Sequence, residues 1–276
     1  MEAVRRQPAA ISVIRRKTSF GFSPFALPKF EIAEGRYSVR LARTPEEVDA
    51  ALRLRFEVFN LELGEGLDVS FITGRDEDEF DATCDHLICT ERETGEIVGT
   101  YRLRTLETAQ TSAGFYTSTE FKTELLPPQI LAESLEIGRA SIAREHRHTR
   151  VLFLLWKGLA AYARLKNKRY LFGCCSLTSQ DCHDGVKAAR YIRRAGFFHK
   201  SLLIPPREEN VCENEHFLTP TDDTEFKLPK LFYTYLRFGA KVCSPPAIDR
   251  QFKTIDFFVM LDLETIDEKF RKLFDY

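Results

Sequence analysis

The chain has 276 residues, of which 43% are hydrophobic and 29% are charged, with 14 glycines and 12 prolines. This composition is that of an ordinary globular protein and excludes collagen-like, low-complexity and largely disordered chains. Lysine and arginine (40) nearly balance aspartate and glutamate (41), and the formal charge of −1 gives no whole-chain signal for a nucleic-acid partner.

Positive charge is concentrated at the N-terminal end of the sequence. Residues 1–30 contain six lysines and arginines and one acidic residue, Glu2. Residues 1–35 show neither a helical nor an alternating period, so we expect a basic irregular N-terminal arm before a single domain over residues 36–276. No apolar run reaches the roughly 18 residues that span a bilayer, and no secretory signal is apparent. The seven cysteines lack CxxC spacing, which favours reduced thiols, a cytoplasmic location and no bound metal.

Periodicity and turn residues predict the elements of the domain. The first half contains a strand over 36–43, a helix from the capping-box sequence TPEE at 44–47 to about residue 63, an acidic loop over 64–83 and a hairpin over 86–92 and 97–106. The second half contains a short helix around 121–125, a strand over 133–143, a helix over 150–165, a strand over 169–175, helices over 181–194 and 228–238, a strand over 253–263 and a closing amphipathic helix. This order predicts an α/β fold, a single domain with a mixed central sheet flanked by helices.

Two groups of residues near the start of the domain are candidates for binding a charged substrate. Arg55 and Phe59 lie four residues apart on one helix face, although a surface arginine beside a core phenylalanine is the simpler interpretation. The acidic run at 76–81 is followed by His86, and such a run is either a solvated loop or a site for a divalent ion or a cationic amine. The glycine and final glutamate of an EF-hand loop are missing, which favours an amine as the ligand.

Strand residues form the next group, Arg102 in GTYRL and the pair Glu136 and Arg139 in EIGR. Alternation places Glu136 and Arg139 on opposite faces of the strand unless the strand bulges, which Gly138 permits. A glutamate in a buried cleft can act as a general base, and a glutamate paired with an arginine across the sheet is the structural alternative. The residues alone leave both interpretations open.

The turn REHRHTR at 144–150 joins the strand EIGR to the long helix and is strongly basic. The N-terminus of a helix offers unpaired backbone N–H groups and the positive end of its dipole, which together favour a phosphate. Arg150, Lys157 and Arg164 recur every seven residues and predict a basic stripe on an otherwise apolar helix. A solvated helix face explains that stripe equally well.

From about Tyr37 to the C-terminus, these motifs resemble the GNAT acyltransferase superfamily, in which such a turn holds the phosphate or pantetheine of an acyl thioester. The pattern of Arg55, Phe59, DEDEFD, Arg102 and EIGR is similar to that of acyl-homoserine-lactone synthases, which take the acyl group from acyl carrier protein. The closer resemblance is to the ornithine-lipid synthesis N-acyltransferases, often labelled hemolysin-like. It rests on GRDEDEFDATCDHL, REHRHTRVLFLLWKGLAAY, YLFGCCS, LPKLFYTYLRFGAKVCSPPAIDRQF and TIDFFVMLDLE.

Two departures from these patterns bear on the substrates. His148 and Arg150 replace the glycines of the usual GNAT pyrophosphate turn, which argues for a carrier-protein donor over coenzyme A. The tryptophan that lactone synthases place shortly after the first helix is absent, since the single tryptophan is Trp156. The resemblance therefore implies transfer of a 3-hydroxyacyl chain from acyl carrier protein to the α-amine of L-ornithine, giving a lyso-ornithine lipid without a bound cofactor.

The resemblance also implies roles for the candidate residues. Glu136 and Arg139 are expected to be catalytic, with Glu136 deprotonating the amine directly or through water. The expected substrate-binding residues are Arg55, Phe59, Asp78, Asp81, His86 and Arg102. The expected acyl-donor-binding residues are Ser141, Ile142, Arg147, His148, Thr149, Arg150 and Lys157. The basic arm is expected to contact an anionic membrane peripherally, on the inner face.

Three alternatives remain open from the sequence. One is an N-acyl amino acid synthase, and a second is a homoserine-lactone-type signal synthase that uses S-adenosylmethionine. The third, from another functional class, is a non-catalytic acyl-binding or membrane-surface protein that keeps the fold without the chemistry. Turnover of an acyl thioester separates the first two from the third, and the acceptor separates the first from the second.

Overall fold

A computed structural model describes residues 30–147, 149–212, 226–266 and 271. Its strands are β1 (Glu31–Glu34), β2 (Tyr37–Leu41), β3 (Asp85–Glu91), β4 (Ile97–Thr105), β5 (Ser134–Ile142), β6 (Tyr170–Leu177), β7 (Lys241–Val242), β8 (Ala247–Asp249) and β9 (Thr254–Asp262). Its helices are α1 (Pro45–Phe56), α2 (Ser70–Thr73), α3 (Leu106–Gln110), α4 (Pro128–Ala132), α5 (Thr149–Leu165), α6 (Cys182–Arg194) and α7 (Lys230–Arg237). The predicted α/β fold, a mixed sheet flanked by helices, is confirmed.

The short edge strands are the elements that differ from the prediction. The sequence places residues 31–34 in the irregular arm, but they form β1, which pairs antiparallel with β2. β7 and β8 contain two and three residues, too few to display a period, and were not predicted. Residues 1–29 of the predicted arm, and all but the start of the predicted closing helix, lie outside the described residues.

α1 begins at the predicted capping box. The Thr44 hydroxyl accepts a hydrogen bond from the Glu47 N–H, and the Glu47 carboxylate accepts one from the Thr44 N–H, both at 3.3 Å. The helix then widens into a π-helical segment over Glu57–Leu63 and ends at Gly64, whose φ of 69° is in the left-handed region. The predicted end near residue 63 is therefore confirmed, although the last turns are wider than those of an α-helix.

Among the strands that the structure describes, β5 and β6 form the one parallel pair, and their short pairing creates a gap. The strand order is β1-β2-β3-β4-β5-β6-β9-β7, with β8 also paired to β9, and all neighbours are antiparallel except β5 and β6. β5 and β6 pair only from Ser134–Glu136 to residues 170–172. Beyond these residues the two strands separate, which leaves an opening in the middle of the sheet.

Different hydrophobic cores pack against the two faces of the sheet. On one face, Leu87 and Tyr101 belong to the core with α5, and Phe257 belongs to the core with α6 and α7. On the opposite face, Ile88 packs with α1 and Phe258 packs with the segment after α3. Alternation along β3 and β9 explains why adjacent residues enter different cores. Within the described residues, no helix combines the length and apolarity needed to cross a membrane.

The cysteines include one pair that the sequence did not indicate. Cys182 and Cys212 form a disulfide with Cα atoms 5.3 Å apart, so the expectation of reduced thiols is wrong for these two residues. Their separation of 30 residues matches no motif, and only the contact between α6 and the segment that contains Cys212 brings them together. The free thiols of Cys84, Cys89 and Cys243 have pKa values that burial raises to about 12, which makes them poor nucleophiles.

Candidate active site

An apolar pocket opens where β5 and β6 separate, and it encloses about 600 Å³ free of protein atoms, its open mouth included. Gly138 and Gly173 line it from the two strands, and a methyl group added to Gly173 would overlap the carbonyl oxygen of Ile137. The wall is completed by Tyr101, Ile137, Ala140, Trp156, Leu159, Leu171, Phe172, Cys175, Tyr235, Phe238, Ala240, Val259 and Leu261. Such a lining suits a long apolar chain better than a polar ligand.

A β-bulge in β5 decides which side chains share the opposite face. Between two pairs with β4, β5 advances three residues, from Gly138 to Ser141, while β4 advances two. Arg139 lies in this bulge with a left-handed backbone, φ 50°. The bulge that the sequence permits is therefore present, and it brings Arg139 to the face that carries Glu136, where both contact Tyr116.

Three arginines and three aspartates form a buried ion-pair network on this face, which we call the arginine–aspartate network. The contacts are Arg55 to Asp76 (2.7 Å) and Asp81 (2.6 Å), Arg102 to Asp78 (2.5 Å) and Asp81 (3.3 Å), and Arg139 to Asp76 (3.2 Å) and Asp78 (3.1 Å). The charges balance one to one. A network of this kind compensates its own buried charge and holds its loop in place.

Asp78 and Asp81 each contact two arginines, and the amine-binding role predicted for them stays a prediction. Burial raises the pKa of Asp81, but the charges of Arg55 and Arg102 outweigh it and hold that pKa well below its ordinary value. Asp81 is therefore an ionised group whose charge is already paired with two arginines. The acidic run resembles a solvated loop in the sequence because its partners lie on α1, β4 and β5, far away along the chain.

Arg55, His86 and Arg102 also lie within the protein rather than at a substrate surface. Arg55 is 1% exposed, and Arg102 is buried in the same network. His86 Nε2 lies 3.1 Å from the carbonyl oxygen of Asp81, and burial lowers the pKa of the imidazole, which keeps it neutral. The contacts of these three residues support the acidic loop, and the substrate-binding role predicted for them stays a prediction.

Arg139 lies between two aromatic rings at the edge of the network. Its guanidinium carbon is 4.5 Å from the centre of the Tyr116 ring and 4.0 Å from that of Phe252. Phe59 is half-buried and packs edge-on against Phe252, with ring centres 5.3 Å apart. Phe59 is thus connected to the site through Phe252, and the rings fix the position of the arginine.

Glu136 holds the 3₁₀ turn that follows α3. Its carboxylate accepts hydrogen bonds from the backbone N–H groups of Tyr116 at 3.1 Å and Thr117 at 2.7 Å. Burial raises the pKa of Glu136, against the lowering effect of these bonds. The glutamate therefore lies in a buried position as the sequence suggests, and its hydrogen bonds go to backbone amides rather than to an arginine across the sheet.

A second acidic group on this face was not predicted from the sequence. Glu120 follows the 3₁₀ turn, Asp256 lies on β9, and Cys174 lies on β6 between them. One oxygen from each carboxyl group and the Cys174 sulfur all lie within 4.8 Å of one another. An aspartate inside the apolar strand sequence TIDFFVML is the signal that could have pointed to this group, since buried strands rarely carry an unpaired acid.

The predicted donor-binding residues lie at the end of β5 and the start of α5. Ser141 is buried, and its hydroxyl donates to the carbonyl oxygen of Arg139 at 3.4 Å. Arg147 donates through Nε to the carbonyl oxygen of Ile142 at 2.9 Å, and its guanidinium pairs with Glu62 at 2.8 Å. The geometry therefore joins this turn to the π-helical segment after α1.

The remainder of the predicted basic turn and stripe is described only in part. Thr149 is the first residue of α5 and Arg150 is exposed, whereas His148 lies outside the described residues. Lys157 forms an ion pair with Glu34 of β1, so its ammonium anchors the edge strand to α5. This contact depends on a strand that the sequence did not predict, and the donor-binding role of Lys157 stays a prediction.

The chain resembles proteins of known activity. Residues 54–157 match the family model of the acetyltransferase (GNAT) domain. The chain is 32% identical over 253 residues to the L-ornithine N(alpha)-acyltransferase of Brucella abortus (strain 2308), covering 86% of this chain and 88% of that protein. It is 32% identical over 248 residues to the protein of the same name from Agrobacterium fabrum (strain C58 / ATCC 33970), covering 84% and 83%.

Among solved structures, the fold is similar to that of FeeM, an N-acyl amino acid synthase from uncultured soil microbes. The TM-score is 0.46 at 13% sequence identity, over 83% of this chain and 92% of that one. The segment matched by the GNAT model runs from α1 to α5. It therefore contains β5, its bulge and the basic turn, while β6 and β9 supply the other side of the pocket.

Proposed function

The chain belongs to the family of L-ornithine N(alpha)-acyltransferases, and from this membership we propose that it transfers a 3-hydroxyacyl group from acyl carrier protein to the α-amine of L-ornithine. The product is a lyso-ornithine lipid. The observation that carries the proposal is the gap between β5 and β6, which has an apolar pocket on one face and charged groups on the other. An acyl thioester and a polar amine can meet at that gap from opposite sides of the sheet.

The donor occupies the gap, with its acyl chain in the apolar pocket. Burial of each methylene group contributes about 0.8 kcal/mol, so a long chain is held mainly by the lining of α5, α7 and β9. The thioester carbonyl lies beside the bulge of β5, where backbone N–H groups near Ser141 and Ile142 polarise its oxygen. The exposed Arg144 and Arg150 flank this end of the strand and suit the surface of an acidic carrier protein.

The acceptor approaches from the face that carries Glu136 and Arg139. The α-ammonium loses a proton to Glu136, directly or through one water, and the free amine attacks the thioester carbonyl. Collapse of the tetrahedral intermediate breaks the carbon–sulfur bond and releases the carrier thiol, so no covalent enzyme intermediate is required. Arg139, fixed between Tyr116 and Phe252, contacts the aspartates through Nε and Nη2 and binds the α-carboxylate through Nη1.

A thiol-release assay tests the proposed reaction. Purified protein is mixed with acyl carrier protein that bears a 3-hydroxyacyl chain, and free thiol is measured with ornithine, glycine, serine, glutamine, lysine or S-adenosylmethionine as acceptor. We expect release with ornithine and a product of the mass of N-acyl-ornithine. The same assay with the 3-hydroxyacyl group on coenzyme A compares the two donors. Release with S-adenosylmethionine alone would indicate a signal synthase, and no release with any acceptor would contradict the enzymatic proposal.

Replacing Glu136 with glutamine is expected to reduce kcat for ornithine by about 10²- to 10⁴-fold, because the base is lost while the side chain keeps its shape. Donor affinity is expected to stay within about twofold, since the apolar pocket lies on the opposite face. Glu133→Gln, three residues earlier, is the matched control and should leave both values unchanged. Equal losses in kcat and in donor affinity would show that Glu136 acts only by holding the turn at Tyr116 and Thr117.

We also propose that the basic N-terminal arm, residues 1–35, contacts an anionic membrane. The six basic residues among residues 1–30 suit an anionic lipid surface, and the product of the reaction is itself a lipid. Attraction of this kind weakens as ionic strength rises.

A further inference from the structure

Glu120 and Asp256 form a buried acidic pair that the proposed reaction does not yet use. Both side chains are 2% exposed. One oxygen of Glu120 and one of Asp256 lack any hydrogen-bond partner, and among the described residues no ion pair reaches either carboxyl group. Burying an acid without a partner is costly, so such a pair indicates a site for a ligand that donates hydrogen bonds and carries positive charge.

The electrostatics of the pair agree with a missing cation. Burial raises the pKa of Glu120, and the nearby charges of Asp256 and Asp249 raise it further. Burial also raises the pKa of Asp256, again with a contribution from Asp249. Burial raises the pKa of Glu65, which faces the same group, to about 7. In the part of the chain that the structure describes, none of these four acids has an ion-pair partner, although the charge of Arg139 lowers the pKa of Glu65. The group therefore attracts an ammonium that can reach it.

The acidic pair lies next to the gap between the strands. Cys174 follows Gly173, which lines the gap, and its thiol is 3.6 Å from Glu120 and 3.9 Å from the hydroxyl of Thr117. The backbone N–H of Thr117 is bound by Glu136. Glu120 and Asp256 therefore lie on the face that carries Glu136, to which Thr117 and Cys174 connect them.

We propose that Glu120 and Asp256 bind the side-chain ammonium of ornithine. The inference rests on the proposed function, which places the α-amine at the gap and the α-carboxylate at Arg139. The terminal amine of ornithine lies three methylene groups beyond its Cα, and an ammonium offers three donors to the two unpartnered oxygens. A neutral amino acid leaves these carboxyl groups unpaired, so the pair selects a diamino acid.

The test compares ornithine with norvaline, which has the same carbon chain without the terminal amine. Binding to the full chain is measured by calorimetry, and kcat/KM is measured by thiol release. We expect the unchanged protein to prefer ornithine by at least about 100-fold in both measurements. Glu120→Gln and Asp256→Asn should each remove most of that preference by weakening ornithine alone. The exposed Glu124→Gln, four residues from Glu120, should change nothing.

The melting temperature separates ligand binding from a structural role. Glu120→Gln and Asp256→Asn each replace a buried acid with an amide of the same shape that can still hydrogen-bond the other acid, so the melting temperature without ligand should be unchanged or higher. Equal binding of ornithine and norvaline by the unchanged protein would overturn the inference. A divalent metal that is stoichiometric in the purified protein and lost in Glu120→Gln would overturn it too. Selective ornithine binding without acyl transfer would support the inference and contradict the proposed function.

Discussion

Replacement of Arg55 by methionine is expected to lower the free energy of unfolding by about 3–5 kcal/mol. The guanidinium is 1% exposed and contacts Asp76 at 2.7 Å and Asp81 at 2.6 Å. Methionine preserves the apolar stem but leaves two buried carboxylates with fewer compensating charges. The cost comes from those unpaired charges rather than from lost packing, because removing one partner of a buried ion pair exposes the full desolvation penalty of the other.

Urea denaturation followed by circular dichroism measures this loss. Arg53→Met is the matched control, because Arg53 lies two positions before Arg55 on the same helix. Its side chain is 54% exposed and forms an ion pair with Asp49 at the surface. The control is expected to change stability by less than about 1 kcal/mol. A loss below 1 kcal/mol for Arg55→Met would mean that Arg102 and Arg139 alone compensate the aspartates.

The effect of Arg55→Met is also expected to depend on pH. Burial raises the pKa of Asp81, but Arg55 and Arg102 outweigh it, and the folded-state pKa lies below the unfolded value of about 3.9. The stabilisation from this depressed pKa is present above the unfolded value and is lost as the pH falls through the folded value. The difference between the variant and the unchanged protein should therefore be full at pH 7 and smaller below about pH 4.

The main helices and long strands could be predicted because each displays its own local signal. α1 begins with a capping box, α5 has a broad apolar face, and β9 is a long apolar run. β1 and β7 have only four and two residues, so their sequences carry no period, and only pairing with a neighbour defines them. The predicted bulge at Gly138 succeeded because glycine marks a position where a strand can depart from alternation.

The chemistry of individual acids could not be predicted in the same way. Asp76 and Asp81 appear in the sequence as parts of an exposed acidic run. Their arginine partners lie on distant elements, and Arg139 is 63 positions after Asp76 in the sequence. Conversely, Glu120 and Asp256 are isolated in the sequence and meet only because the 3₁₀ turn that ends at Glu120 lies against β9. Whether an acid is compensated depends on tertiary contacts, which single-sequence patterns do not contain.

The two faces of the sheet carry chemically different groups. The arginine–aspartate network is neutral and rigid, and it fixes Arg139 between its two aromatic neighbours. The acidic pair Glu120 and Asp256 has no ion-pair partner among the described residues, in contrast to Asp78 and Asp81. The opposite face has an apolar lining that suits the acyl chain. Specificity for the acceptor and for the acyl chain can therefore change independently, since the residues involved do not overlap.

Replacement of Gly138 by valine is expected to reduce kcat/KM for the acyl donor by at least about 100-fold while leaving stability within about 0.5 kcal/mol. Gly138 lines the gap, and a side-chain carbon added there meets no atom within 4 Å. Its backbone φ is not in the left-handed region, and valine favours strands, so the fold has no reason to lose stability. The added methyl groups instead fill the space assigned to the thioester.

Gly173→Ala is the contrasting variant, because its methyl group would overlap the carbonyl oxygen of Ile137 in the neighbouring strand. It should lose about 1–3 kcal/mol of stability, as expected for overpacking against backbone. Thiol-release kinetics and thermal melting of both variants therefore separate a loss of space for the donor from a loss of stability through overpacking. If Gly138→Val retained full activity, the donor would have to bind outside the gap, and the apolar pocket would lose its role as the acyl site. If activity fell with stability intact, the parting of β5 and β6 would be the point at which thioester and amine meet.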